Sequence, residues 1–375
     1  MQNVDTWERY IELLDRGNQI AQNLGHYIHS FSGNVQDIFE KFDFFKEIEK
    51  MDEANILYLV VSSFADLDLH PDVVTNPMMG TLFEDLIRRF NEQANETAGD
   101  HFTPRDVVSL MVDLLLEPDD DVLGTDGIIK TVLDPACGTG GLLTEMRNQV
   151  RELNSGATVF VYGQDFNPRA YAIAASDFLM KEDHSADPKA DIRFGDTLTN
   201  DQFSNHKFDY FLANPPFGVD WKRQQAEVKR QHEKEGFNGR FGAGLPRVND
   251  GAFLFLQHMV SKFEPADPLD PTKGARLAIV FSGSPLFSGG AGSGESEIRK
   301  WLIENDLLEA IVARGWAAAS PPGAVAAGVA VVGDVAARPA GHEDLDARLL
   351  PLLQHQYAAT TFGGANGGHQ PRRPG

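Results

Sequence analysis

TVLDPACGTGGLLTEM, residues 131–146, reads as a strand, a glycine turn and a helix. Val132 and Leu133 form a short apolar run that Asp134 closes, and Gly138, Gly140 and Gly141 precede the helical pattern of Leu142, Leu143 and Met146. Glycines at such a joint remove side chains, so the backbone can approach a ligand near the helix N-terminus. The spacing departs from G-x-G-x-x-G, so this is no dinucleotide fingerprint. Taken by itself, the turn is equally what a purely structural joint looks like.

Working outward, short apolar runs alternate with helical stretches: TVFVYGQD, RAYAIAASDFLMK, IRFGD and FDYFLANPP. Strands alternating with helices imply right-handed crossovers and an α/β fold with a doubly wound, mostly parallel sheet, which gathers ligands at the carboxyl ends of its strands. Beyond it, GAFLFLQHMVSKF reads as a helix, RLAIVFSGS as a buried strand and SESEIRKWLIENDLLEAIVA as a helix then a strand, with Ser293 or Ser296 as its cap. SGGAGSGES lacks the Gly-Lys-Ser/Thr of a phosphate-binding loop, which excludes a nucleotide triphosphatase.

Upstream, Thr103-Pro104-Arg105-Asp106 reads as an N-cap with proline in the first helical position, opening DVVSLMVDLLL. Residues 1–98 carry apolar residues at helical spacing and read as an N-terminal helical domain. Residues 99–313 form the catalytic domain. From residue 314 the chain turns Ala, Gly and Pro rich, with no Lys after Lys300, and no packed domain is expected there.

Composition narrows the function. A lone cysteine, Cys137, excludes an internal disulfide, and no Cys or His cluster has zinc spacing. No run approaches the roughly 18 apolar residues of a membrane span, and the first residues are unlike a signal, so the cytoplasm is expected. The net charge of -22 is at odds with a chain that grips nucleic acid unaided. The stretch from Lys222 to Arg247 runs the other way, with seven Lys or Arg against three Glu, and reads either as a solvated loop or as a phosphate contact.

Three signals carry chemistry. The first is Asp134-Pro135-Ala136-Cys137-Gly138-Thr139-Gly140-Gly141. The second is an acid closing each of the next two strands, Asp165 and Asp196: the former suits ribose hydroxyls, the latter an adenine amino group, and each is also an ordinary turn-former or helix cap. The third is Asn214-Pro215-Pro216-Phe217 at the end of FDYFLA. An aromatic amino group is a poor nucleophile because its lone pair is delocalised into the ring. Two acceptors, the Asn214 side-chain oxygen and the Pro215 carbonyl, would localise that pair. The prolines fix the backbone that presents them, and Phe217 offers a face for an extracted base.

In this order the motifs resemble those of the amino-directed, S-adenosylmethionine-dependent DNA methyltransferases. With FEDLIRRFNEQANETAGDHFTPRDVVSLMVDLL and SGSPLFSGGAGSGESEIRKWLIENDLLEAIVA, the chain from about Asn23 to Ala313 is similar to the modification subunit of type I restriction-modification systems. The resemblance implies a Rossmann-like S-adenosylmethionine-dependent methyltransferase core and adenine-N6 methylation of a flipped base in DNA. It places Asp100, His101, Phe102, Thr103, Pro104 and Arg105 against the methionine end of S-adenosyl-L-methionine, matches Thr139, Gly140 and Gly141 to the cofactor loop, and matches Asp165 to the ribose-binding acid. It also implies a specificity subunit that reads DNA, two methyltransferase chains to one such subunit, and a restriction subunit. An amino methyltransferase acting on RNA or protein glutamine, or an inactive remnant, is the alternative. Relative to the family, the front reads as shortened, and residues 314–375 read as out of frame or otherwise unrelated, which would leave the sheet incomplete.

Overall fold

The computed structural model describes residues 20–70, 72–93, 103–181, 190–216, 218–270, 272–282, 288–314 and 327–334. Five described helices come first: α1 (Ile20–Ile28), α2 (Gly33–Lys41), α3 (Phe44–Glu53), α4 (Leu57–Ala65) and α5 (Asn76–Gln93). Ile28, Ile48 and Leu57 form the small core of this helical segment. The helical pattern of this stretch appears in these five elements. Residues 1–19 lie outside the described residues.

The α/β unit then runs α6 (Arg105–Leu116), β1 (Ile129–Asp134), α7 (Gly141–Leu153), β2 (Thr158–Asp165), α8 (Pro168–Lys181), β3 (Asp191–Phe194) and β4 (Tyr210–Ala213). It continues through α9 (Gln225–Glu235), α10 (Ala252–Val260), β5 (Ala275–Ser282), α11 (Gly294–Glu304), β6 (Leu308–Arg314) and β7 (Ala327–Asp334). The strands join in one sheet of order β3-β2-β1-β4-β5-β7-β6. β3, β2, β1, β4 and β5 are mutually parallel, and β7 is antiparallel to both its neighbours. The doubly wound, mostly parallel sheet expected from the alternating pattern is therefore present. Strand order reverses between β1 and β4, and the crevice at that switch point is where open α/β sheets bind ligands.

Both faces of the sheet are covered. Met111, Leu115, Leu143 and Met146 from α6 and α7 pack on one face against Val132, Val161 and Leu212. Leu256, Met259, Ile298 and Leu302 from α10 and α11 cover the other, against Leu133, Phe211, Leu277 and Ile279. All four residues of β4 are buried, which is why YFLA reads as a continuous apolar run. The helical front docks on α8, where Ile38 packs with Tyr171 and Ala172 and the Tyr171 hydroxyl donates to Asp37 Oδ2 at 2.7 Å. No described helix is long and apolar enough to cross a membrane.

Two local expectations are corrected. The tail does not leave the sheet incomplete: Ala327–Asp334 inserts as β7 between β5 and β6, pairing with β5 from Ala275↔Asp334 to Ser282↔Ala327. Two flanking strands supply its whole hydrogen-bond ladder, so a run of Ala, Gly and Val with little packing bulk still forms a strand. Residues 315–326 and 335–375 lie outside the described residues. Thr103 is not the cap of α6 either. Pro104 stands there in extended backbone, and its carbonyl accepts from Val107 and Val108 at 2.9 and 3.0 Å, while the helix begins at Arg105. At α11, Ser293 is the cap, its hydroxyl accepting the Ser296 N–H.

Candidate active site

Three neighbouring strand ends are tied together at the switch point. Asp134, fully buried at the end of β1, accepts the Ala136 N–H through Oδ1 at 2.9 Å and so folds the loop back on the strand. Asp165, closing β2, accepts the Gly138 N–H at 2.8 Å and the Asn167 N–H at 2.7 Å. Beyond β3, the Thr197 hydroxyl donates to the Pro135 carbonyl at 2.6 Å. Asp196 accepts from the Leu198 N–H at 2.9 Å and from Gln224 Nε2 at 2.6 Å. Residues from all three strand ends face a cavity of about 290 Å³, near the lower end of the usual range for small-molecule sites.

On the far wall, Asn214 follows β4 directly. Its Nδ2 donates to Thr103 Oγ1 at 2.9 Å. Its Oδ1 is buried and has no partner among the described residues. Asp134 Oδ2 and Gln224 Oε1 are in the same condition, and all three residues line the cavity. Buried polar atoms are normally paired, so three orphaned acceptors around one cavity describe a ligand rich in N–H groups or carrying positive charge.

Burial, helped by the neighbouring Asp165 charge and opposed by the Ala136 N–H, pushes the Asp134 carboxyl up to about 8. Burial likewise raises the Cys137 thiol well above its ordinary value, with the Asp165 and Asp134 charges adding to it, so it is no thiolate nucleophile. Among the described residues, no three of His, Cys, Asp and Glu come together in a way that could hold a metal ion.

Most of the residues singled out in the sequence meet here. Thr103, Asp134, Pro135, Ala136, Cys137, Gly138, Thr139, Gly141, Asp165, Asp196, Asn214, Pro215 and Pro216 line the cavity. Gly140, Pro104 and Arg105 do not. Gly140 instead turns the chain at φ 86°, where a Cβ would stand 3.0 Å from the Phe178 ring; Pro104 caps α6 and Arg105 begins it. Asp100, His101, Phe102 and Phe217 lie outside the described residues.

Sequence reasoning missed Phe166 and Gln224. Phe166, 59% exposed, lines the cavity directly after the β2 acid, so the position following that acid was the available signal. Gln224 enters from the turn before α9, where no motif marks it. The basic stretch also divides. Arg240 points inward, donating to the carbonyls of Thr197 and Leu198 at 2.7 and 2.8 Å and to Gln231 Oε1 at 2.9 Å. The other six cations are exposed.

Comparison with known proteins follows the same lines. The methylase subunit of the type I restriction enzyme MjaIX from Methanocaldococcus jannaschii is 26% identical over 320 residues, covering 82% of this chain and 50% of its own. That of HindI from Haemophilus influenzae is 28% identical over 241 residues, covering 63% and 46%. The chain thus spans about half the length of these curated relatives. Among solved structures, the type I restriction-modification methyltransferase subunit from Streptococcus thermophilus superposes with a TM-score of 0.62 at 22% identity, over 86% of this chain and 64% of that one. A putative class I S-adenosylmethionine-dependent methyltransferase from Listeria monocytogenes gives 0.56 at 16% identity, over 86% and 90%. These likenesses place the fold among such methyltransferases. The model of one family, N-6 DNA methylase, matches residues 74–315, well over half of the sequence, and the chain belongs to that family.

Proposed function

We propose that this chain is the modification subunit of a type I restriction-modification system, moving a methyl group from S-adenosyl-L-methionine to the N6 amino group of a flipped adenine in DNA. A helical domain (1–98) and a methyltransferase domain (99–313) make up its working parts, and the cytoplasm is its place of work. The observation that carries this reading is Asn214 Oδ1, buried without a partner among the described residues at the end of β4 and facing the same cavity as the glycine loop of β1.

The residues present suit the cofactor. The donors it brings, two amino groups and two ribose hydroxyls, match the orphaned oxygens of Asp134 and Gln224 and the strand-end carboxylate of Asp165. Gly138 to Gly141 leave backbone room beside it, and Phe166 offers a ring face at the rim. When bound, S-adenosyl-L-methionine supplies an electrophilic methyl group.

The chain's own residues prepare the amine. Asn214 Oδ1 and the Pro215 carbonyl accept its two hydrogens, which draws the lone pair back onto nitrogen, and rigid prolines hold both acceptors in place without reorganisation. No acid or base is required, because the alkylated amine sheds its proton to water readily. Flipping the adenine costs a few kcal/mol, offset by contacts around the Pro-Pro turn.

A net charge of -22 fits a catalytic chain that borrows its hold on DNA. In our reading a specificity subunit supplies it, two methyltransferase chains to one reader, and a restriction subunit joins them. The test is labelled methyl transfer by the complex assembled with the neighbouring specificity subunit, offered DNA, RNA and a glutamine-bearing protein in parallel. Transfer to DNA that Asn214→Ala abolishes is expected. Transfer to RNA or protein in place of DNA, or undiminished transfer by the variant, overturns the reading.

A further inference from the structure

A carboxamide is nearly symmetric in shape and opposite in polarity at its two ends, so a half-turn about its last bond exchanges an acceptor for a donor. With the oxygen toward the substrate amine, Asn214 draws out the lone pair. With the NH2 group there, two sets of N–H dipoles face each other and no acceptor exists. Among the described residues no backbone group hydrogen-bonds this carboxamide. Pro215 restricts the backbone of Asn214 to extended conformations but leaves the orientation of the carboxamide open.

We propose that Thr103 is the positioning residue that anchors this carboxamide at one end, its hydroxyl accepting from the Asn214 NH2 group while the opposite end, Oδ1, is aimed at the substrate amine. The Nδ2–Oγ1 contact of 2.9 Å joins residues 111 positions apart in sequence. It is the partner found for the Asn214 side chain among the described residues, and the opposite atom, Oδ1, is the one left orphaned. Thr103 is itself held where the chain enters α6, next to a proline whose carbonyl accepts from two helix N–H groups. The segment implied to lie against the cofactor therefore has a second task, performed on the catalytic amide.

This inference rests on the reading of Asn214 given above, and its test separates the two. Thr103→Val keeps the shape and removes the hydroxyl; Thr103→Ser keeps the hydroxyl; Thr103→Ala serves if the valine variant fails to fold. In the complex with the specificity subunit, Thr103→Val or Thr103→Ala is expected to slow single-turnover methyl transfer about tenfold or more, the scale of one lost hydrogen bond plus partial misorientation. S-adenosylhomocysteine affinity, measured by calorimetry on the same samples, falls by less than the rate does, and Thr103→Ser restores the rate to within about threefold. A second readout needs no activity. The Asn214 side-chain NH2 resonance, assigned by its absence in Asn214→Ala, loses its hydrogen-bonded shift and exchange protection in Thr103→Val and keeps them in Thr103→Ser. Wild-type rates in Thr103→Val, equal losses of rate and affinity without rescue by serine, or an unmoved resonance would each overturn the proposal. If the unmutated complex methylates nothing, the functional reading fails, while the resonance still decides whether Thr103 orients Asn214.

Discussion

Gly138 donates its backbone N–H to Asp165 Oδ2 at 2.8 Å, so the acid that closes β2 holds the glycine loop that follows β1. The other oxygen of the same carboxylate accepts the Asn167 N–H at 2.7 Å. Asp165 thus shapes the cavity before any ligand arrives. An asparagine has one acceptor oxygen and satisfies only one of these N–H groups, leaving the other facing an NH2. Asp165→Asn is expected to lose about 1–3 kcal/mol of stability in urea titration and at least about tenfold in S-adenosylhomocysteine affinity by calorimetry. Unchanged stability with weakened binding would assign Asp165 to the ligand alone.

Two glycines of the same loop have different reasons to be glycine. Gly138 has φ 53° with nothing within 4 Å of a built Cβ, whereas Gly140 has φ 86° and a Cβ there would sit 3.0 Å from Phe178 Cε2. Left-handed backbone costs roughly 1–2 kcal/mol in either case. Gly140→Ala adds a clash with a buried ring, so it is expected to destabilise the fold by about 2–4 kcal/mol in thermal or urea unfolding. Gly138→Ala should cost about 1–2 kcal/mol of stability and show its larger effect as lost cofactor affinity, because its methyl group enters a residue that lines the cavity. Equal stability losses would contradict the distinction.

Asp134 makes binding sensitive to pH. Burial raises its carboxyl to about 8, against an ordinary value near 3.8. The folded state binds this proton more tightly than the unfolded chain does. The stability it contributes is therefore complete below the ordinary value and is lost as pH rises toward about 8. A cationic ligand beside the orphaned Oδ2 favours the carboxylate, so its binding expels a proton. S-adenosyl-L-methionine affinity is expected to strengthen by up to about tenfold per pH unit between pH 6 and 8 and to level off above. Calorimetry in buffers of differing ionisation enthalpy should show proton release near pH 7 that Asp134→Asn removes.

The sequence exposes those parts of the site that a single strand end defines. β4 shows as a bare apolar run because both of its faces are buried, and Asn214, Asp134 and Asp165 show as polar residues closing such runs. Contacts made by distant segments leave no such trace. Thr103 carries the signature of a helix cap, and its turn toward Asn214 follows from tertiary placement 111 residues away. Arg240 counts as one more cation until burial shows it bound to the carbonyls after β3. β7 is composed of small residues that read as low complexity, because its partners rather than its own side chains supply the ladder.

The remaining basic stretch makes a prediction about salt. Lys222, Arg230 and Arg247 each lie within 4 Å of an acid, at Asp220, Glu227 and Asp250. Arg223, Lys229 and Lys234 are exposed and form no such ion pair among the described residues. Changing these three to alanine is expected to weaken DNA binding by the assembled complex and to reduce the slope of log affinity against log salt by about 2–3, near 0.9 for each lost phosphate contact. Fluorescence anisotropy across a salt series measures it, and an unaltered slope would make the stretch a solvated surface.

The place of β7 predicts how the tail bears on stability. Among the described residues β6 pairs with β7 and with no other strand, so removing β7 detaches β6 and opens the edge of β5 from Ala275 to Ser282. Opened edges present unpaired N–H and C=O groups and invite association. A chain ending at Arg314 is expected to unfold at lower urea concentration and to aggregate at concentrations the longer chain tolerates. Hydrogen exchange locates the effect: the backbone amides of β5 that face β7 should lose protection, while those of β1 and β2, on the other side of β4, keep it until global unfolding. An unchanged midpoint in urea and unchanged protection along β5 would show that Ala327–Asp334 contributes nothing to the sheet.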